Sequence, residues 1–76
     1  MDKKLKMDLL LDLELLRTFV MVAKTGELKK AAGVIFRSQA AVSMQIKRLE
    51  ELVGRTLMER SNRGIQLTDA GYTLLG

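Results

Sequence analysis

Apolar positions recur at helical spacing three times before the chain changes period. Leu13, Leu16, Val20 and Ala23 stand at i, i+3, i+7 and i+10 with Phe19 beside them, which draws one stripe along a helix. Asp12 precedes the stripe as a good N-cap and Gly26 follows it as a stop, so a first helix is expected from about Asp12 to Thr25. Residues 1–8 are polar and read as a fraying end. Leu9, Leu10 and Leu11 can add an earlier turn, and residues 1–11 together are expected to form a flexible N-terminal extension. A second, short segment from Leu28 to about Ile35 repeats the pattern with Leu28, Ala31, Ala32 and Ile35. Its alanines permit close approach of another helix, while Gly33 weakens it by roughly 1 kcal/mol relative to Ala. Phe36 and Arg37 then link to a third segment, capped by Ser38 and stopped by Gly54, whose inward stripe is Val42, Ile46, Leu49 and Val53.

Beyond Gly54 the period shortens. Thr56 to Arg60 and Ile65 to Leu67 read as two strands around the turn cluster Ser61-Asn62-Arg63-Gly64, in which Asn62 and Gly64 suit unusual backbone angles. Thr68 caps a new helix that runs toward Gly76. Two helices joined by a short link, then a hairpin, predict a mainly α fold: a winged helix-turn-helix of three helices, a two-stranded wing and the start of a fourth helix. The winged domain is expected over residues 12–67, with the helix start over 68–76.

Composition narrows what such a domain can do. At 76 residues it is one small domain. A core of this size rarely supplies more than about 3–5 kcal/mol, which leaves little room for a deep substrate pocket. The absence of Cys removes disulfides and a thiol nucleophile. The absence of both Cys and His removes the usual zinc ligands and the commonest general base. No enzyme, catalytic residue, metal or cofactor is therefore expected. Charged residues break up every apolar run, so no membrane partner is expected and the location is expected to be cytoplasmic. Thirteen basic against nine acidic residues give a net charge of +4. That is a mild excess, so the placement of the charges matters more than their total.

On the third helix the placement is informative. With Gln39 set at 0° and about 100° per residue, the apolar stripe lies near 280–340°. Ala40, Ser43, Met44 and Lys47 lie near 40–140°, which makes an outward face that is small, polar and basic. A recognition helix presents its N-terminal residues to base edges in the major groove. Gln39 can pair with adenine, Lys47 can reach guanine or phosphate, Ser43 can donate or accept, and Met44 can touch a thymine methyl. A surface helix carries polar residues outward whatever its task, so the hairpin is the second half of the case. Arg60, Asn62 and Arg63 crowd its turn, where a wing arginine can enter a narrow minor groove. Lys29 and Lys30 open the second helix and can contact phosphate or simply be solvated, as can Arg37 in the turn. Tyr72 and most of the five methionines read as packing residues, and Arg48, Glu50 and Glu51 as an exposed flank with weak local ion pairs.

These residues resemble a known family. Leu13-Glu14-Leu15-Leu16-Arg17-Thr18-Phe19, then Gly26 and Ala31-Ala32, resemble the opening of LysR-type transcriptional regulators. Ser38-Gln39-Ala40-Ala41-Val42-Ser43-Met44-Gln45-Ile46-Lys47-Arg48-Leu49-Glu50 resembles their recognition helix. Leu52, Gly54, Leu57 and Glu59-Arg60, followed by Leu67-Thr68 and Ala70-Gly71, resemble the wing and the start of the linker helix. The match runs over roughly residues 12–76, and its ordered spacings are specific. The resemblance implies a bacterial regulator that binds double-stranded DNA. It implies recognition contacts at Ser38, Gln39, Ala40, Ser43, Met44 and Lys47, a wing contact at Arg63, and residues 68–76 as the first part of a linker helix. Through that helix a longer chain would form a homodimer. The effector domain would lie beyond it, so no small-molecule effector is expected in this segment. Ala40 stands where the family usually has Pro, Met44 where a basic residue is common, Met58 where Phe is usual, and Glu27 where a Ser caps the second helix near DNA.

The leading expectation is sequence-specific binding of duplex DNA, with the recognition helix in the major groove, the wing at the minor groove and Lys30 on phosphate. The alternative is a protein-interaction module, a truncated regulator that forms mixed dimers with full-length relatives through its first helix.

Overall fold

The computed structural model describes residues 3–76. In chain order the elements are α1 (Lys3–Thr25), α2 (Leu28–Val34), α3 (Gln39–Val53), β1 (Met58–Ser61), β2 (Gly64–Leu67) and α4 (Asp69–Leu75). The first three helices pack around a common core, the two strands form an antiparallel hairpin against it, and α4 follows the hairpin. This is the winged helix-turn-helix expected from the order of elements.

The first helix departs from expectation in two ways. It begins at Lys3, so Asp12 sits in its interior and does not cap it. No Gly or Pro interrupts residues 3–25, and the leucine-rich run from Leu9 to Leu16 favours a helix over a loose extension. The expected flexible segment 1–11 is therefore helical from Lys3 onward, and Met1 and Asp2 lie outside the described residues. The buried face is also rotated. Leu15, Thr18, Phe19 and Val22 are buried, whereas Leu13 is 53 % exposed. Both stripes are apolar, and the position of α2 and α3 decides which one the core uses.

Gly26 ends α1 with φ +75°, its N–H donating to Val22 O at 2.9 Å. The helix-turn-helix link is tight. Phe36 takes φ +55°, a left-handed conformation unusual for a large side chain, and is 94 % exposed. Arg37 N–H then donates back to Ala32 O at 2.9 Å, which closes the turn. On α3 both expected boundaries are found. The Ser38 hydroxyl accepts from Ala41 N–H at 3.1 Å, and Gly54 closes the helix in the left-handed region with its N–H on Glu50 O.

Strand boundaries shift by one or two residues, with Met58 paired to Leu67 and Ser61 to Gly64. Among the turn residues only Gly64 takes a positive φ, +100°, so Asn62 does not use the freedom expected of it. A Cβ at Gly64 would lie 2.8 Å from Gly26 O, and the next residue, Ile65, donates its N–H to that same oxygen at 3.0 Å. The wing is thereby anchored to the turn between α1 and α2. Thr68 caps α4 as expected, accepting from Gly71 N–H at 3.1 Å and donating to Thr56 O at 2.6 Å.

The core comprises Leu15, Phe19, Val22, Ala31, Ala32, Val42, Ile46, Leu49, Leu57 and Met58. Val53, expected inward, lies at the helix end and is exposed. Tyr72 is exposed as well, because the α4 face that carries it has nothing packed on it among the described residues. Met58 and Met21 pack in or against the core, whereas Met7 and Met44 are exposed, so two of the four described methionines fill the core; Met1 lies outside the described residues. No described helix is long and apolar enough to cross a membrane.

Candidate nucleic-acid interface

The expected site residues lie where the helical angles put them. Ser38, Gln39, Ala40, Met44 and Lys47 are exposed along α3, and Ser43 is half-buried on the same side. Val42, Ile46 and Leu49 hold the opposite side in the core. The N-terminal half of α3 is therefore a rigid platform, fixed from behind by apolar packing and at its start by the Ser38 cap.

The wing closes one edge of this platform. Arg60 Nη2 donates to Ser43 Oγ at 3.2 Å, which joins β1 to α3. This contact is the main feature that the sequence pattern did not single out. The signal was present: side chains alternate along a strand, Met58 points into the core, and Arg60 two residues on shares its face. Arg60 thus leans toward α3, while Arg63 is exposed in the turn with its N–H on Ser61 Oγ at 3.2 Å. A shallow groove lined by Glu27, Lys29, Gln39, Arg60 and Gly64 brings the start of α2, the start of α3 and the wing together.

Two charged pairs refine the basic surface. Lys30 Nζ lies 3.3 Å from a Glu27 carboxylate oxygen, and both side chains are largely exposed. Glu27 occupies the N-cap position of α2 but makes no side-chain capping bond. A carboxylate at this edge lowers the local positive potential and competes for Lys30. Arg37 is turned to a different task. Its guanidinium lies 2.6 Å from Glu14 of α1, and Gln45 Nε2 donates to the same carboxylate oxygen at 3.4 Å. Thr18 completes this group with a hydroxyl bond to Gln45 Oε1. Arg37 therefore braces the helix-turn-helix link against α1. Glu50, expected on the exposed flank, is half-buried and accepts from Leu57 N–H at 2.7 Å, which fixes the loop leading into the wing. Among the described residues no group of three His, Cys, Asp or Glu side chains gathers as a metal site.

A face built from one helix, flanked by a basic hairpin and a basic helix start, suits an extended polyanion better than a small molecule. Comparison with known proteins agrees with that architecture. Residues 13–72 match the bacterial regulatory helix-turn-helix proteins of the lysR family. The chain is 48 % identical over 66 residues to the HTH-type transcriptional regulator PecT of Dickeya dadantii, covering 87 % of this chain and 21 % of that protein. It is 45 % identical over 65 residues to the HTH-type transcriptional regulator DgdR of Burkholderia cepacia, covering 86 % and 22 %. It thus spans about a fifth of the length of these relatives. Among solved structures, the CbnR DBD–DNA complex superposes with a TM-score of 0.78 at 40 % identity, over 82 % of this chain and 71 % of that one. With its matched residues covering most of the sequence, the chain belongs to the lysR family of bacterial regulatory helix-turn-helix proteins.

Proposed function

We propose that this chain is a sequence-specific reader of double-stranded DNA within a transcriptional regulator, with α3 in the major groove and the β1–β2 wing along the minor groove. The observation that carries this reading is the single exposed face formed by Gln39, Ala40, Met44 and Lys47, with the wing joined to it through Arg60 and Ser43. Small residues at the start of α3 let the helix backbone approach base edges. Gln39 and Ser43 read those edges, Met44 offers apolar contact, and Ser38 and Lys47 hold the helix to the duplex. Arg63 reaches the minor groove from the wing tip, and Lys30 serves a phosphate at the start of α2. The similarity to a domain solved in complex with DNA supports this assignment. In a longer chain α4 continues as the linker helix and joins two such domains.

The test is binding of the chain to a duplex selected from a random pool. Affinity is expected to fall with a steep linear dependence of log K on log salt, as phosphate contacts release counterions. Gln39→Ala, Ser43→Ala and Arg63→Ala, made singly, are each expected to weaken binding to the selected duplex, by up to about tenfold or more at roughly 1–3 kcal/mol per good base contact. Unchanged affinity in all three variants would overturn the site.

Glu27 gives a gain-of-binding prediction. Glu27→Ser removes a carboxylate from the DNA-facing edge, frees Lys30 and supplies a capping hydroxyl. The variant is expected to bind the same duplex several-fold more tightly at low salt, with the gain shrinking as salt rises, measured by fluorescence anisotropy.

A further inference from the structure

The outer half of α1 has no task in the reading above. Leu5, Met7, Leu9, Leu10, Leu11 and Leu13 are each between 46 % and 58 % exposed. All but Leu13 lie ahead of residues 13–72, the span of the family match. Leu15 is the first buried residue of α1, and Glu14 is tied to Arg37 and Gln45, so residues 3–13 form about three turns of helix, roughly 16 Å long, ahead of the buried part of α1. A helix segment that exposes six large apolar side chains among its charges gains by covering them with a partner, and an isolated one this short is marginal in water.

Spacing and charge identify the partner. Leu9, Leu13, Leu16 and Val20 follow one another at intervals of four, three and four, the spacing of a coiled-coil seam; Leu16 and Val20 are half-buried, Leu16 against the core, so the exposed part of the seam is Leu5, Leu9 and Leu13. With about 100° per residue, this seam and Leu5 occupy an arc of roughly 80°, turned about 120° away from the core stripe of Leu15, Phe19 and Val22. Lys3, Lys4 and Lys6 precede Leu9, while Asp8 and Asp12 lie beside and beyond it. A second copy running antiparallel and centred near Leu9 sets the basic end of each helix against the acidic stretch of the other. A parallel copy lays lysine on lysine. The antiparallel arrangement also keeps the two domain bodies at opposite ends of the overlap.

We infer that the outer half of α1 is a self-association surface, on which a second copy of this chain pairs antiparallel through Leu5, Leu9 and Leu13. It is separate from the linker helix and from the DNA-facing side, so its failure leaves the DNA-binding assignment untouched. The test uses the 76-residue chain without DNA. Sedimentation equilibrium is expected to show a concentration-dependent monomer–dimer equilibrium. Leu9→Glu with Leu13→Glu is expected to weaken it by at least about tenfold, as loss of two leucine burials per copy implies, with the thermal melt of the domain unchanged. Leu75→Glu on α4 is expected to leave the equilibrium unaltered. Because the chain has no cysteine, orientation can be read directly. Leu5→Cys mixed with Leu13→Cys is expected to form a disulfide-linked pair on oxidation, faster than Leu5→Cys links to itself. A monomer at all concentrations, a dimer lost through Leu75→Glu but not through the α1 pair, or preferential self-linkage of Leu5→Cys would each overturn the inference.

Discussion

Replacing Gly71 with alanine is expected to destabilise the domain by about 3 kcal/mol or more, at the upper end of what overpacking costs. Glycine inside a helix usually costs stability, so the same change elsewhere would gain roughly 1 kcal/mol. The sign reverses here because of what lies opposite. A Cβ on Gly71 would fall 2.1 Å from Leu57 O and 3.1 Å from Leu57 C. That carbonyl cannot step aside. It accepts from Thr68 N–H at 3.0 Å, its own residue's N–H is held by the Glu50 carboxylate at 2.7 Å, and the Leu57 side chain is fully buried. Inserting a methyl group must push α4 away from the wing base or break the Thr68 bond. Urea unfolding followed by circular dichroism measures the loss. A stability equal to or above that of the parent would mean that α4 does not sit this close to Leu57.

The second large effect is expected at Phe19. Its side chain is the largest fully buried one among the described residues, seated on α1 in the core cluster. Phe→Ala in a core costs about 3–5 kcal/mol, through lost transfer energy and the cavity left behind. A domain of 76 residues has only about 4–11 kcal/mol in total at 0.05–0.15 kcal/mol per residue. Phe19→Ala is therefore expected to leave the chain largely unfolded near physiological temperature. Phe36→Ala is the matched control. Phe36 is almost wholly exposed, so its truncation is expected to leave the melting temperature within a few degrees of the parent. A melt for Phe19→Ala as high as that of Phe36→Ala would contradict the assignment of the core.

Legibility from sequence followed the range of the interactions involved. Helix α3 is readable at both ends and along its first three turns, because its cap, its stop and its apolar stripe are local; the exceptions are Val53, exposed at the helix end, and Glu50, drawn in by the Leu57 N–H. The wing and the start of α4 were readable from turn residues and from Thr68 for the same reason. Helix α1 is not, because it carries two apolar stripes about a third of a turn apart, and only packing by α2 and α3 selects the one containing Phe19. Once that choice is made, Leu13 falls outside the core, while Leu16, Val20 and Ala23 are left half-buried at its edge. At the candidate site the exposed residues of α3 followed from angles alone. The Ser43–Arg60 and Glu14–Arg37 contacts span 17 and 23 residues; strand alternation gives the face on which Arg60 stands, but no local pattern names either partner. Glu27–Lys30 is an ordinary i, i+3 pair, which the spacing of the two residues alone allows.

The bond from Ile65 to Gly26 sets a limit on how this domain can adapt. Because it joins main chain to main chain, the separation between the wing and the α2 start is a dimension of the fold itself and not of any side chain. Within the proposed reading, the domain meets a duplex as a gauge of fixed width. Exchanging residues on the α3 face changes which bases suit it, while the groove-to-groove span it accepts stays the same.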